Sequence, residues 1–250
     1  MISKAKIKLI QSLKYKKFRN KTGLFVAEGI KTIRELQNSD IKMSEIFGLG
    51  EILQKIDVPA GIEKTELDEK DLKKISFLST ATNVLGLFKI PEYNIAESFE
   101  NNFIIALDGV QDPGNLGTII RLADWYNVKS IVCSKNCADA FNPKVIQSTM
   151  GSIYRVKVFY ADLTSYLDKA KKNKFAVYGS FMDGETIYGK TFNGKKILVM
   201  GSEGNGISKE VRGFIDKKIS IPAFFDGNDG PESLNVAVAS AIIVSEMKRS

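Results

Sequence analysis

The sequence predicts an α/β protein in two modules, the second of them built on a parallel sheet. Continuous apolar runs, stretches of helical spacing between them, and an abrupt change in charge along the chain carry that expectation. The runs are FIIAL (103–107), SIVC (130–133), FAVYG (175–179), ILVMG (197–201) and KISIP (218–222). They have the character of parallel-sheet strands, which are covered on both faces. Between them, 116–126, 143–150, 162–172 and 207–215 read as helices, and 234–248 carries small and apolar residues along its length, as a helix packed on a sheet would. Residues 1–91 hold 17 Lys and Arg against 11 Asp and Glu, net +6, whereas 92–250 hold 19 against 18, net +1.

The first module, residues 1–91, alternates element types as a small α/β sandwich does. A helix is expected over 2–13, a short strand over 24–26 and a helix from Gly29 with Ile30, Ile33 and Leu36 at helical spacing. Ile46–Phe47 and Ile56–Val58 are short strand candidates, ELDEKDLKKISF reads as a helix, and NVLGLF closes the module as a strand. The segment IPEYNIAESFENN is polar, contains Pro91 and has no period. Residues 92–102 are therefore expected to be an interdomain linker before a second module at 103–250.

Composition narrows the chemistry. Among 250 residues there is no histidine, so a histidine base, a histidine triad and histidine metal ligands are excluded in this chain. Two cysteines, Cys133 and Cys137, cannot build a four-ligand zinc site, and no metal site is expected. No apolar stretch reaches a membrane-spanning length, and the N-terminus lacks the apolar core of a secretory signal. A cytoplasmic location is the expectation. The eight basic residues of positions 1–21, among them Lys14, Lys16, Lys17, Arg19 and Lys21, are accompanied by no acid. Such a stretch suits a polyanion such as RNA; the bland alternative is an ordinary solvated terminus.

Three polar, glycine-bearing segments follow strand ends, where open α/β sheets place ligands. In LDGVQDPGNLGTIIRLADWYNV (107–128), Asn115 is placed to cap a helix and Arg121 lies six residues on. ILVMGSEGNGIS (197–208) carries Gly201, Gly204 and Gly206 around Glu203, whose charge is ill suited to a pyrophosphate. It matches neither a dinucleotide fingerprint nor a P-loop, which leaves little weight for a nucleotide-dependent oxidoreductase. ISIPAFFDGNDGPESLNVAVASA (219–241) ends a strand at Pro222 and reaches the last helix at Ser233, a plausible N-cap with Asn235 in the first turn.

Together and in this order, the segments resemble the three motifs of SpoU-type (TrmH-like) RNA ribose 2′-O-methyltransferases of the SPOUT superfamily. The first motif reads Asn115, Gly117, Arg121 and Ala123, the second Gly201, Glu203 and Gly206, the third Ile221–Pro222 and Ser233–Val236. Residues 1–91, through LFVAEGIKTIREL and NVLGLFKIP, are similar to the family's L30e/L7Ae-like substrate-binding domain. The loop AFFDGNDGPE between Pro222 and Ser233 is acidic and long for the family, which puts the pocket rim or substrate preference in play.

The resemblance implies a C-terminal α/β trefoil knot, which general topology rules would not propose. It also implies a homodimer with active sites near the interface, and S-adenosyl-L-methionine as cofactor. On the family's pattern the cofactor lies against Gly201, Gly206, Ile221, Leu234 and Val236. Arg121, Asn115, Glu203, Ser233 and Asn235 form the reacting site. The implied reaction is methyl transfer to a ribose 2′-OH of structured RNA, ribosomal RNA before transfer RNA, with Lys14, Lys16, Lys17, Arg19, Lys21 and Arg121 on the RNA. The alternative from another class is a non-catalytic RNA-binding protein, which failure to bind S-adenosylmethionine would reveal.

Overall fold

Ser3 opens the chain's first helix by accepting a hydrogen bond from the Lys6 amide at 3.1 Å, the usual way a serine satisfies a helix terminus. The computed structural model describes residues 2–224 and 232–249. Its elements run α1 (Lys4–Ser12), α2 (Lys16–Thr22), β1 (Leu24–Glu28), α3 (Ile30–Gln37), β2 (Met43–Gly48), α4 (Gly50–Leu53), β3 (Glu63–Glu66), α5 (Glu69–Ile75) and β4 (Val84–Lys89). There follow β5 (Phe103–Asp108), α6 (Pro113–Trp125), β6 (Ser130–Ser134), α7 (Pro143–Thr149), β7 (Lys157–Ala161), α8 (Leu163–Lys172) and β8 (Ala176–Thr186). The last are β9 (Lys196–Gly201), α9 (Lys209–Arg212), β10 (Lys217–Ser220) and α10 (Val236–Arg249). Contacts divide the chain into one unit of Met1–Glu92 with Asp139–Arg155, and another of Tyr93–Ala138 with Val156–Ser250.

The first unit holds a four-stranded sheet in the order β1-β4-β2-β3. β4 runs antiparallel to both neighbours and β3 parallel to β2. Ile10, Leu13, Val26, Phe47, Leu72 and Ile75 fill the core between helices and sheet. The strand expected at Ile56–Val58 does not form. Ile56 is buried, but it sits in the turn after α4, and the sheet edge is made by EKTE at β3, whose polar side chains give no apolar signal. The helix expected at 143–150 is α7. It packs on β1 in this unit rather than with the C-terminal sheet. Phe141 meets Phe25 at 5.0 Å between centroids, and Glu35 accepts hydrogen bonds from Arg155 Nη1 at 2.7 Å and Tyr154 Oη at 3.0 Å. Those two donors, Arg155 first, hold the Glu35 carboxyl below its ordinary range.

In the second unit all six strands are parallel, in the order β10-β8-β9-β5-β6-β7. The edge strand β7, KVFYA, went unmarked in the sequence, although its VFYA run is apolar and Val158 and Phe159 are buried. The supposed linker is also structured: a 3-10 turn at Ile95–Glu100 is closed by a reciprocal capping box between Asn94 and Glu97. Phe99 stacks on Tyr166 with centroids 4.9 Å apart and planes 9° from parallel. The fully buried Ser98 hydroxyl lies 2.8 Å from that tyrosine's. Sequence polarity there reflects turn chemistry, not spare chain. Among the described residues no helix is long and apolar enough to cross a membrane.

Candidate active site

The pairing of β5 with β9 sets Asp108 opposite Gly201, so the loops after both strands open at one end of the sheet. Asp108 is almost buried, and its Oδ2 accepts the Ser208 amide at 2.8 Å. One loop is thereby tied to the end of the other strand, a role the sequence did not signal.

Asn115 does not cap α6. Asp112 does, accepting the Asn115 amide on Oδ1 at 2.8 Å, with Pro113 at the first helical position. The Asn115 side chain is left for other partners. Its Nδ2 donates to Glu203 Oε1, and its Oδ1 accepts from Asn235 Nδ2 at 2.9 Å. Nor does Ser233 cap α10: Asn235 Oδ1 accepts the amides of Ala237 at 3.0 Å and Val238 at 3.3 Å. Those donors fix which end of the Asn235 amide is oxygen, and so point its nitrogen at Asn115. The orientation passes on, because Asn115 can then offer only its own nitrogen to the Glu203 carboxylate. One residue from each of the three motif segments joins this relay.

The loop bearing Glu203 is closed on itself. Ser202 and Gly206 exchange both backbone hydrogen bonds, at 3.2 and 2.9 Å, and Gly206 has φ +61°, a conformation that favours glycine. A Cβ at Gly201 would collide with the Gly206 carbonyl carbon and the Ile207 nitrogen. The glycine is therefore demanded by the loop's own backbone.

Beside the relay lies a cleft of about 630 Å³. Gly201, Gly206, Ile221, Leu234 and Val236 line it, as do Glu203 and Ser233. Met200 and Ala239 add apolar wall that the motifs did not mark. So do Phe181 and Met182, because β8 runs on to Thr186 instead of ending at 179. There Gly179 and Glu185 pair with the consecutive Lys218 and Ile219, throwing the intervening residues towards the cleft. Arg212 also lines it, anchored by donating from Nε to the Ile207 carbonyl at 2.8 Å. An apolar floor under a glycine-closed loop, with the carboxylates of Asp183, Glu203 and Glu232 in its lining, suits a ligand with an apolar body and a cationic centre. Residues 225–231 of the acidic 223–232 loop lie outside the described residues.

Arg121 is not in the relay and does not line the cleft. It is exposed on α6, on the stripe it shares with Thr118 and Trp125, and enters none of the ion pairs among the described residues. In the first unit Lys14, Lys16, Lys17 and Lys21 are exposed. Arg19 is not: it is 1% exposed and cannot meet RNA as expected. Its guanidinium donates to the carbonyls of Leu13 at 2.7 Å and Lys14 at 2.9 Å, and pairs with Asp139 at 2.8 Å. It holds the turn between α1 and α2. No group of His, Cys, Asp and Glu among the described residues could hold a metal ion.

Residues 102–245 match the SpoU rRNA methylase family, and residues 4–86 match an MRM3-like substrate binding domain. The 23S rRNA (guanosine(2553)-2′-O)-methyltransferase RlmP of Bacillus subtilis is 32% identical over 244 residues, 97% of this chain and 96% of the relative. A protein of Porphyromonas gingivalis assigned to the TrmH family of RNA methyltransferases superposes with a TM-score of 0.88 at 36% identity, over 100% of this chain and 99% of that one. The AdoMet-bound rRNA methyltransferase of Sinorhizobium meliloti does so at 0.87 and 25% identity, over 100% and 96%. The chain thus belongs to the SpoU rRNA methylase family, the knotted SPOUT group of RNA methyltransferases to which its three motifs pointed.

Proposed function

We propose that the protein methylates a ribose 2′-hydroxyl of structured RNA, ribosomal RNA being the substrate class, in the cytoplasm and as a homodimer. The observation that carries this reading is the Asn235–Asn115–Glu203 relay at the mouth of the apolar cleft. S-adenosylmethionine, when bound, supplies a methyl group already activated on a sulfonium. The protein's work is to hold the hydroxyl in line and ease away its proton. Ile221, Leu234 and Val236, with the 201–206 loop, form the wall against which the cofactor is held. Glu203, fixed by Asn115, sets the loop and places a negative charge at the mouth.

Arginine side chains keep their proton in proteins. Arg121 therefore acts as a fork for the RNA phosphate, orienting the adjacent 2′-hydroxyl. Its position supports the dimer. Trp125 is 85% exposed on α6 and Val238 49% exposed on α10, two helices packed on each other. A second copy seated on these two helices would cover the exposed Trp125 and Val238 and bring Arg121 to the interface. Cys133 and Cys137 are buried and form no disulfide, which accords with a reducing compartment.

Ribose methylations mapped in RNA from cells with and without the gene, alongside calorimetric titration of the protein with S-adenosylmethionine, test the reading. Loss of one 2′-O-methyl from ribosomal RNA is expected, with saturable cofactor binding. An unchanged methylation map together with no cofactor binding would leave a non-catalytic RNA-binding protein.

A further inference from the structure

The corner between α1 and α2 holds two aromatic rings in water. Tyr15 is 62% exposed and Phe18 39%, whereas Phe25, Phe47 and Phe88 of the same unit are fully buried. The two rings have centroids 6.5 Å apart and planes inclined at 60°. Around them Lys14, Lys16, Lys17 and Lys21 are exposed, and no acid occurs in residues 1–21. Lys14, Lys17 and Lys21 enter none of the ion pairs among the described residues.

The corner is braced from beneath. Arg19 spans the turn through the Leu13 and Lys14 carbonyls. Gly23, at φ +64°, ends α2 by donating to the Arg19 carbonyl at 2.7 Å. The rings are thus presented by a fixed backbone, and little ordering remains for binding.

We propose that this corner docks unpaired bases of the RNA, with Tyr15 and Phe18 as stacking faces and Lys14, Lys17 and Lys21 on the flanking phosphates. A continuous duplex hides its base faces and is held by phosphate and 2′-hydroxyl contacts. Lysines alone would serve it, and exposed rings would be of no use. Unpaired bases offer a π-face to any aromatic side chain. Rings 60° apart cannot extend one helical stack; they fit two bases splayed at a loop or bulge. This inference rests on the RNA methylation reading and specifies the substrate: RNA with an accessible loop beside its stem.

The test uses full-length protein with S-adenosylmethionine present and two fluorescent probes, an RNA hairpin and a fully paired duplex of the same stem, read by anisotropy across a salt series. Tyr15→Ala with Phe18→Ala should weaken hairpin binding about tenfold or more. Duplex binding and the salt slope should stay as in the wild type. Lys17→Ala with Lys21→Ala should weaken both probes and flatten the slope by about 1 to 2. Phe18 is partly packed, so Tyr15→Leu, which keeps apolar bulk without the ring face, is measured beside it with a thermal melt. It should lose hairpin affinity alone, with the melt unchanged. Equal losses on hairpin and duplex, or no loss on the hairpin, overturn the stacking site and leave methylation standing. A wild type that binds neither probe overturns the RNA reading itself.

Discussion

The α1–α2 corner and the exposed stripe of α6 each carry an arginine that the sequence marks for RNA, and the fold uses the two in opposite ways. Arg19 is enclosed, with two carbonyls and Asp139 as partners, and its Nε has no partner among the described residues. Arg121 stands in solvent six residues beyond Asn115. A guanidinium has five donors in a fixed fork. Whether that fork organises the protein's own carbonyls or waits for a phosphate depends on what the backbone folds around it. At the corner, the chain's charge for RNA comes from the lysines and its rigidity from the arginine.

Exchanging the two losses is the strongest way to break this comparison. Arg121→Ala should cut the single-turnover rate of methyl transfer about 10²- to 10³-fold. The melting temperature and cofactor affinity should be unchanged, and Arg121→Lys should restore the rate only in part, because an ammonium is not a fork. Arg19→Ala should cost roughly 3 kcal/mol of stability, since it strands a half-buried Asp139 and two carbonyls. Urea unfolding measures it. Near-wild-type turnover by Arg121→Ala, or an unchanged urea midpoint for Arg19→Ala, would remove the contrast.

A smaller effect sharpens the same distinction inside α6. Asp112 is the residue committed to the helix, and Asn115 is free for the site. Asn115→Ala should lower the methyl-transfer rate about tenfold without loosening the helix, because its cap remains. Asp112→Ala should instead cost about 1 kcal/mol of stability, read in the same urea titration. A stability loss at Asn115 with full activity would return it to the capping role its spacing suggested.

These reversals show where sequence was informative. The covered strands announced themselves because FIIAL and ILVMG are apolar throughout, a pattern set by the layer on each face. The edge strand EKTE could not do so, since its side chains are polar and largely exposed, whereas KVFYA carries the same kind of signal in its apolar VFYA. Asn115, Glu203 and Asn235 were legible as a set through the family's motifs. Which asparagine caps a helix was not, because the choice depends on a backbone amide being within reach. The fate of Arg19 was hidden for a further reason. Its acidic partner is 120 positions away in the sequence, in the segment Asp139–Arg155 that joins the first unit.

The thiols extend the comparison to groups held inside the fold that can still ionise. Cys137 is almost buried, yet its pKa is drawn down from 9.0 to about 7. The chief cause is a hydrogen bond from Cys133, with Ser134 and the backbone at Val110 and Gly109 adding to it against the upward push of burial. A folded value below the unfolded one stabilises the fold fully above the unfolded pKa, and that stabilisation is lost as pH falls through the folded pKa. Stability should therefore rise by on the order of 1 kcal/mol between pH 7 and 9. Cys133→Ala removes the principal hydrogen bond and should flatten that rise, whatever it does to stability at any single pH. Urea midpoints under reducing conditions at several pH values measure the slope. If the slope survives in Cys133→Ala, the ionisation belongs to another group, and Cys137 is as inert inside the fold as Arg19.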